Sequence, residues 1–148
     1  MEPLAPGTEA PSIPGIDPGP GPRALLFYKV TCPTCQLAGP PAERLARVFP
    51  EGFAAIGQDP PDRLEEFRAT FGDFPAVPDV DPYPISDAYG IRTVPTLLVL
   101  NDGRVEEVVE SWDRDGWNRA ATRLGDLAGR EIGTVSEQGD GLPPFRPG

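Results

Sequence analysis

The run "ALLFYKV", Ala24–Val30, is the feature that most narrows the folds open to this chain. It is rich in strand formers and apolar on both alternating faces, and it is bounded by "PGPGP" before and "TCPTC" after. A strand without a polar face has to be covered on both sides, so it reads as a buried strand inside a layered sheet.

The following segments supply the layers. Pro33–Phe49 reads as a helix with Leu37, Leu45 and Val48 near helical spacing, and Pro40-Pro41 within it predict a kink near Gly39. "EGFAAIGQD" is the next strand. Asp59 is placed as the N-cap of a second helix, with Pro60 at its first position. Leu64, Phe67 and Phe71 form its apolar stripe, and Gly72 is placed to stop it. "FPAVPDVDPYP" carries too many prolines for a central strand and reads as a loop with a short edge segment. "ISDAYGI" is a short helix leading to a strand at Thr96–Leu100. "NDG", Asn101–Gly103, turns that strand into an antiparallel return, "RVEEVVES". Trp117, Ala120, Ala121, Leu124 and Ala128 mark a last amphipathic helix. This order predicts an α/β fold, with a central mixed β-sheet and helices on both faces. Residues 1–22 read as an extended Pro/Gly-rich arm, 23–130 as the domain, and 131–148 as a loose, flexible tail.

Composition removes several function classes. The chain has 148 residues, a formal net charge of −10 and no histidine. An acidic surface repels phosphate backbones and anionic lipid, so neither nucleic acid nor membrane is an expected partner. No stretch approaches the ~20 apolar residues of a membrane helix. "MEPLAPGTEAPSIPG" has neither a basic start nor an apolar segment, so the expected location is cytoplasmic, or extracytoplasmic if a leader has been removed. Without histidine, chemistry falls to thiols, carboxylates or backbone.

Cys32 and Cys35 are the only cysteines. Alone they cannot complete a structural zinc site, which takes four Cys or His ligands; only a homodimer sharing one ion could, nothing in the sequence suggests one, and no metal is expected. As a staple they would close too small a loop to stabilise the fold much. An inert thiol pair is the plain alternative. The reactive reading rests on position, where a buried strand passes into a helix. There Cys32 faces unpaired N–H groups and the positive end of the helix dipole, which favour thiolate. Pro33 suits the first helical position, because its missing donor has no partner there. Cys35, one turn on, is placed to attack a mixed disulfide at Cys32.

"FYKVTCPTC", Pro40 five residues beyond the second cysteine, and "TVPTLLVLNDGRV" together resemble the thioredoxin-fold superfamily. "LAPGTEAPSI", the additional segment from about Pro60 to Tyr83 and "DAYGIRTVPT" resemble its redoxin, or TlpA-type, branch, with an N-terminal arm and an insertion before the cis-proline strand. The resemblance spans roughly residues 4–128. It implies a cis peptide before Pro95 and a Val94 backbone that pairs with an extended substrate over Cys32. Pro33, Thr34, Val94 and Pro95 are the residues it implies for substrate binding. It implies no bound cofactor. The partners implied are a disulfide-containing protein or small molecule and an external thiol reductant or oxidant, and a monomer is expected.

The chain also departs from that pattern. Leu26 stands where many thioredoxins bury an acid, and Ala38 where many TlpA-type proteins carry glutamate. Asp59 is the one replacement candidate for accepting the Cys35 proton, beside its simpler reading as a cap. Pro33-Thr34 differs from the Gly-Pro of many reducing thioredoxins, which leaves reduction and oxidation both open. The leading expectation is thiol–disulfide exchange with Cys32 as nucleophile and Cys35 resolving. A redoxin-class peroxidase acting through a sulfenic acid is the second reading, with Arg92 as its candidate cation. A binding module with vestigial thiols is the third.

Overall fold

The computed structural model describes residues 3–17 and 19–148. Strands β1 (Pro22–Tyr28), β2 (Phe53–Gly57), β3 (Ala76–Pro78), β4 (Thr96–Asn101) and β5 (Arg104–Glu110) form one sheet in the order β3-β2-β1-β4-β5. β1–β2 and β2–β3 are parallel, while β1–β4 and β4–β5 are antiparallel. Parallel neighbours need a long return path, and the helices supply it. α1 (Pro33–Leu37) and α2 (Gly39–Val48) lie between β1 and β2, and α3 (Pro61–Thr70) lies between β2 and β3. β4 and β5 need only the tight turn at Asp102 and Gly103, whose φ values of 50° and 77° suit the twist of a hairpin.

The expected first strand is displaced. β1 runs Pro22–Tyr28, not Ala24–Val30, and the Val30 amide turns to the Asp59 carboxylate at 2.8 Å. Asp59 is therefore not the cap of α3. Pro60 takes that position, with proline again at the start of the helix, and the Asp59 side chain is free to tie the β1–α1 loop to the end of β2. The kink appears where the prolines predict it, with Ala38 closing α1 and opening α2. α3 ends at Thr70 with Phe71 as its cap, so Gly72 follows the helix end as expected, but without the positive φ of a left-handed stop. A Cβ on Gly72 would overlap the Gly39 backbone, and one on Gly39 would overlap the Phe71 carbonyl. These two glycines let the start of α2 and the end of α3 approach closely.

Helices cover both faces of the sheet, unevenly. Leu26, Tyr28, Ala55, Leu97 and Val99 pack beneath α2, α3 and α5 (Arg114–Ala128). On the opposite face Leu25, Phe27, Ile56, Leu98 and Leu100 meet Tyr89, Ile85 of α4 (Pro84–Ala88) and the N-terminal segment. That segment is extended and packed onto the sheet. Ile13 is buried, Gly7 N donates to Val105 O at 2.7 Å, and Tyr89 Oη donates to Pro11 O at 2.6 Å. It does the covering that a helix performs on the other face, because five apolar side chains there would otherwise meet water.

The C-terminal segment corrects the expectation of a loose tail. Val135 and Ser136 are buried, and Asn118 holds them through bonds to Val135 N and Ser136 O, both 2.9 Å. Trp112 Nε1 donates to Pro143 O at 2.8 Å, and β6 (Trp112–Asp113) pairs antiparallel with β7 (Phe145–Arg146). Local periodicity is absent from 131–148 because the segment is organised by contacts with β6 and α5 instead of its own repeat. Trp112 and Trp117 are core residues, edge-to-face at 5.1 Å.

Candidate active site

Cys32 sits at the junction of β1 and α1 in an extended conformation and caps the helix with its own sulfur, which accepts from Cys35 N at 3.2 Å. Pro33 holds the first helical position, as its missing donor predicts. Cys32 is half-buried and reachable, whereas Cys35 is 3% exposed within the core beneath α1 and α2. Both are free thiols. The two therefore occupy different environments although only Pro33 and Thr34 separate them.

Those environments drive their acidities apart. The Cys35 thiol bonded to the Cys32 sulfur, then the backbone N–H groups of Cys35 and Thr34 and the charge of Arg146, outweigh burial and bring Cys32 down to about 6. Cys35 moves the opposite way. Burial is the main cause, followed by the proton it gives to Cys32, and the negative charges of Cys32 and Asp59 add to it. Tyr28, in the same core cluster as Cys35, is also raised, first by burial and then by Asp59. Phe27 faces the opposite core, so Tyr28 alone of this pair borders the thiols.

Val94, 62 positions after Cys32, and Pro95 come to the pair across the fold. The Val94–Pro95 peptide is cis, and Val94 O lies 3.5 Å from Cys32 Sγ. Pro95 O accepts from Ser111 N at 2.8 Å. Thr34, expected to face substrate, is buried and donates its hydroxyl to Pro147 O at 2.7 Å. Cys32, Cys35, Pro33, Thr34, Val94 and Pro95 are thus brought together. Arg92, the candidate cation of the peroxidase reading, forks its guanidinium onto Glu110 with two bonds of 2.8 Å.

Leu26 and Ala38 are buried apolar positions, so neither supplies a carboxylate. Asp59 is the acid whose charge acts on Cys35, and it is anchored by Val30 N at 2.8 Å with Lys29 Nζ 3.9 Å away. Sequence reasoning missed the residues of the C-terminal segment altogether. Pro147 and Gly148 reach the site, yet "GLPPFRPG" has no chemistry-bearing spacing that could have signalled it. Among the described residues no group of acidic or thiol side chains could hold a metal ion.

A mixed sheet of this strand order, with a Cys-x-x-Cys pair at the first strand-to-helix junction facing a cis-proline loop, is the thioredoxin fold, and this chain has it. Solved structures agree. The chain is similar to dsbF of MTB, solved in mixed oxidized and reduced forms, with 26% identity over 70% of this chain and 81% of that one and a TM-score of 0.61. It is also similar to a secreted Mycobacterium tuberculosis disulfide oxidoreductase homologous to E. coli DsbE (21% identity, 60% and 68% coverage, TM-score 0.53). A Bacteroides thetaiotaomicron protein solved in solution matches over 86% of this chain and 94% of its own, with 15% identity and a TM-score of 0.73. No family model matches the chain, and no curated protein is similar enough in sequence to count as a relative.

Proposed function

We propose that this protein is a thiol–disulfide oxidoreductase of the redoxin type, with Cys32 as nucleophile and Cys35 as the resolving thiol. The observation that carries the reading is the split between the two sulfurs: one reachable and held as thiolate near neutral pH, the other buried and protonated beside it. Only the thiolate attacks a disulfide, so the split assigns the order of events. The likeness to structures described as disulfide oxidoreductases supports the same chemistry.

In the reducing direction Cys32 thiolate attacks one sulfur of the substrate disulfide. The Cys32–substrate bond forms, the substrate S–S bond breaks, and the departing substrate thiolate takes a proton. Cys35 then gives up its proton, attacks Cys32 Sγ and forms the Cys32–Cys35 disulfide, releasing the second substrate thiol. Two electrons pass from the pair to the substrate, and an external dithiol returns them. Run backwards, the same steps oxidise a dithiol. In the reducing direction burial makes deprotonation of Cys35 the slower demand, while in the reverse direction Cys35 leaves and takes up a proton; Asp59 is a carboxylate whose charge acts on it.

Reduction of insulin or hydroxyethyl disulfide by dithiothreitol, with and without the protein, tests this. Cys32→Ser should abolish catalysis, and Cys35→Ser should trap a mixed disulfide through Cys32 that mass spectrometry detects. Full turnover by Cys32→Ser would end the proposal. The reduction potential of the pair then decides whether it works as reductant or oxidant.

A further inference from the structure

Among the described residues, the groove where a polypeptide would approach Cys32 is already occupied. Gly148 N donates to Ser111 Oγ at 3.0 Å, and Pro147 O accepts from Thr34 Oγ1 at 2.7 Å. Gly148 lies so close against the cis-proline loop that a Cβ there would overlap the Val94 carbonyl oxygen and Thr93 Oγ1. Thr34 lies between the two cysteines, and Val94 O is the group 3.5 Å from Cys32 Sγ. Pro147 and Gly148 thus bridge the halves of the site, the cysteine loop and the cis-proline loop.

The bridge is built rather than draped. Ser111 holds the strap with its hydroxyl and the carbonyl of Pro95 with its amide, at 2.8 Å, so one residue ties strap to loop. It does so at φ 72°, a conformation that residues other than glycine rarely adopt. Upstream, the β6–β7 pair and the Trp112–Pro143 bond fix the direction from which the strap arrives. An extended substrate that added alongside Val94 would need the same backbone surface and the same space. On Val94 and Thr93, which Gly148 crowds, there also opens a cleft of about 310 Å³, lined further by Gln58, Tyr83, Ser86 and Arg92 and by neither cysteine. That is the size range of a small-molecule site.

We propose, resting on the exchange chemistry above, that Pro147 and Gly148 act as a built-in occupant of the polypeptide groove, so that the strapped protein serves low-molecular-weight disulfides and admits a protein disulfide only when the strap leaves. The strap sets substrate class by steric competition. It leaves the thiol pair itself intact.

The test compares the full chain with a chain lacking residues 147–148 and with Gly148→Val, whose added side chain has no room against Val94. kcat/KM is measured for insulin and for hydroxyethyl disulfide. Both variants should raise the insulin value about tenfold, the scale of two ordinary hydrogen bonds, and leave hydroxyethyl disulfide within about twofold. Ser111→Ala, which removes one of the two bonds, should give a smaller rise. An unchanged insulin-to-hydroxyethyl-disulfide ratio in both strap variants overturns the proposal.

Alkylation of Cys32 provides a readout independent of turnover, using iodoacetamide against a polymer-tagged maleimide. The full chain should discriminate against the bulky reagent, and loss of 147–148 should remove that discrimination. Discrimination without any disulfide turnover would sustain the strap and defeat the exchange reading. Turnover with equal alkylation by both reagents in every variant would sustain exchange and defeat the strap.

Discussion

The amide of Cys35 points at the sulfur of Cys32 from 3.2 Å, so its backbone favours charge on its partner's sulfur. In the proposed exchange the same residue then contributes twice, by its backbone to the first attack and by its side chain to the second. Burial keeps its own sulfur protonated while its N–H, with that of Thr34, favours charge on Cys32.

The first prediction is the pH dependence of that sulfur. Cys32 is lowered to about 6, and its reactive form is the thiolate, so reactivity must rise with pH through that value and level off before neutrality. Iodoacetamide alkylation rates followed from acid to mildly alkaline pH should show this half-rise. A rate still climbing steeply above neutral pH, as an ordinary thiol gives, contradicts it.

A second prediction concerns Asp59, whose negative charge helps to raise Cys35. Asp59→Asn keeps a carbonyl oxygen to accept from Val30 N and removes the charge. The later thiol titration, followed by ultraviolet thiolate absorbance, should move to lower pH. If Asp59 also accepts the proton, release of the Cys32 mixed disulfide should slow despite that easier ionisation. An unmoved later titration would show that Asp59 does not act on Cys35.

Gly72→Ala tests the close approach of α2 and α3. The added methyl meets the Gly39 backbone, which cannot swing aside as a flexible side chain would. Overpacking of this kind costs about 1–3 kcal/mol, readable as a lower urea midpoint with an unchanged slope. A midpoint equal to the parent protein's would show that the helices separate freely.

Asn118→Ala tests the docking of the C-terminal segment. Asn118 accepts from Val135 N and Ser136 N and donates to Ser136 O, both buried residues, so its loss takes the partner from three backbone groups. The expected cost is about 1–3 kcal/mol per buried group left without a partner. Amide hydrogen exchange should quicken at Val135 and Ser136 before the sheet responds. Exchange that quickens equally in β1 and β4 would mean the segment is not a separate local unit.

How much of this was legible beforehand follows from where each signal lies. The strand "ALLFYKV", the helix stripe of Leu64 and Phe67, and the "NDG" hairpin are written in neighbouring residues, since period and turn chemistry are local properties. The pairing of Cys32 with a helix start was legible for the same reason. Asp59 was misplaced because its cap and tether roles share one local pattern, and only the path of β1 toward Val30 chose between them. Gly72 follows the end of α3 as expected, but its close contact with Gly39 was not legible, as a helix end and a close contact both call for glycine.

By itself, the amino-acid sequence determined the order of the elements from β1 to α5, the burial of β1 and the place of Cys32 at a helix start, because each depends on spacing along a few residues. Tertiary structure alone decided what stands in front of that sulfur. Thr34 and Pro147 are 113 positions apart and share no periodicity, so their bond exists only because the sheet, β6 and the cis-proline loop bring the two residues to one place.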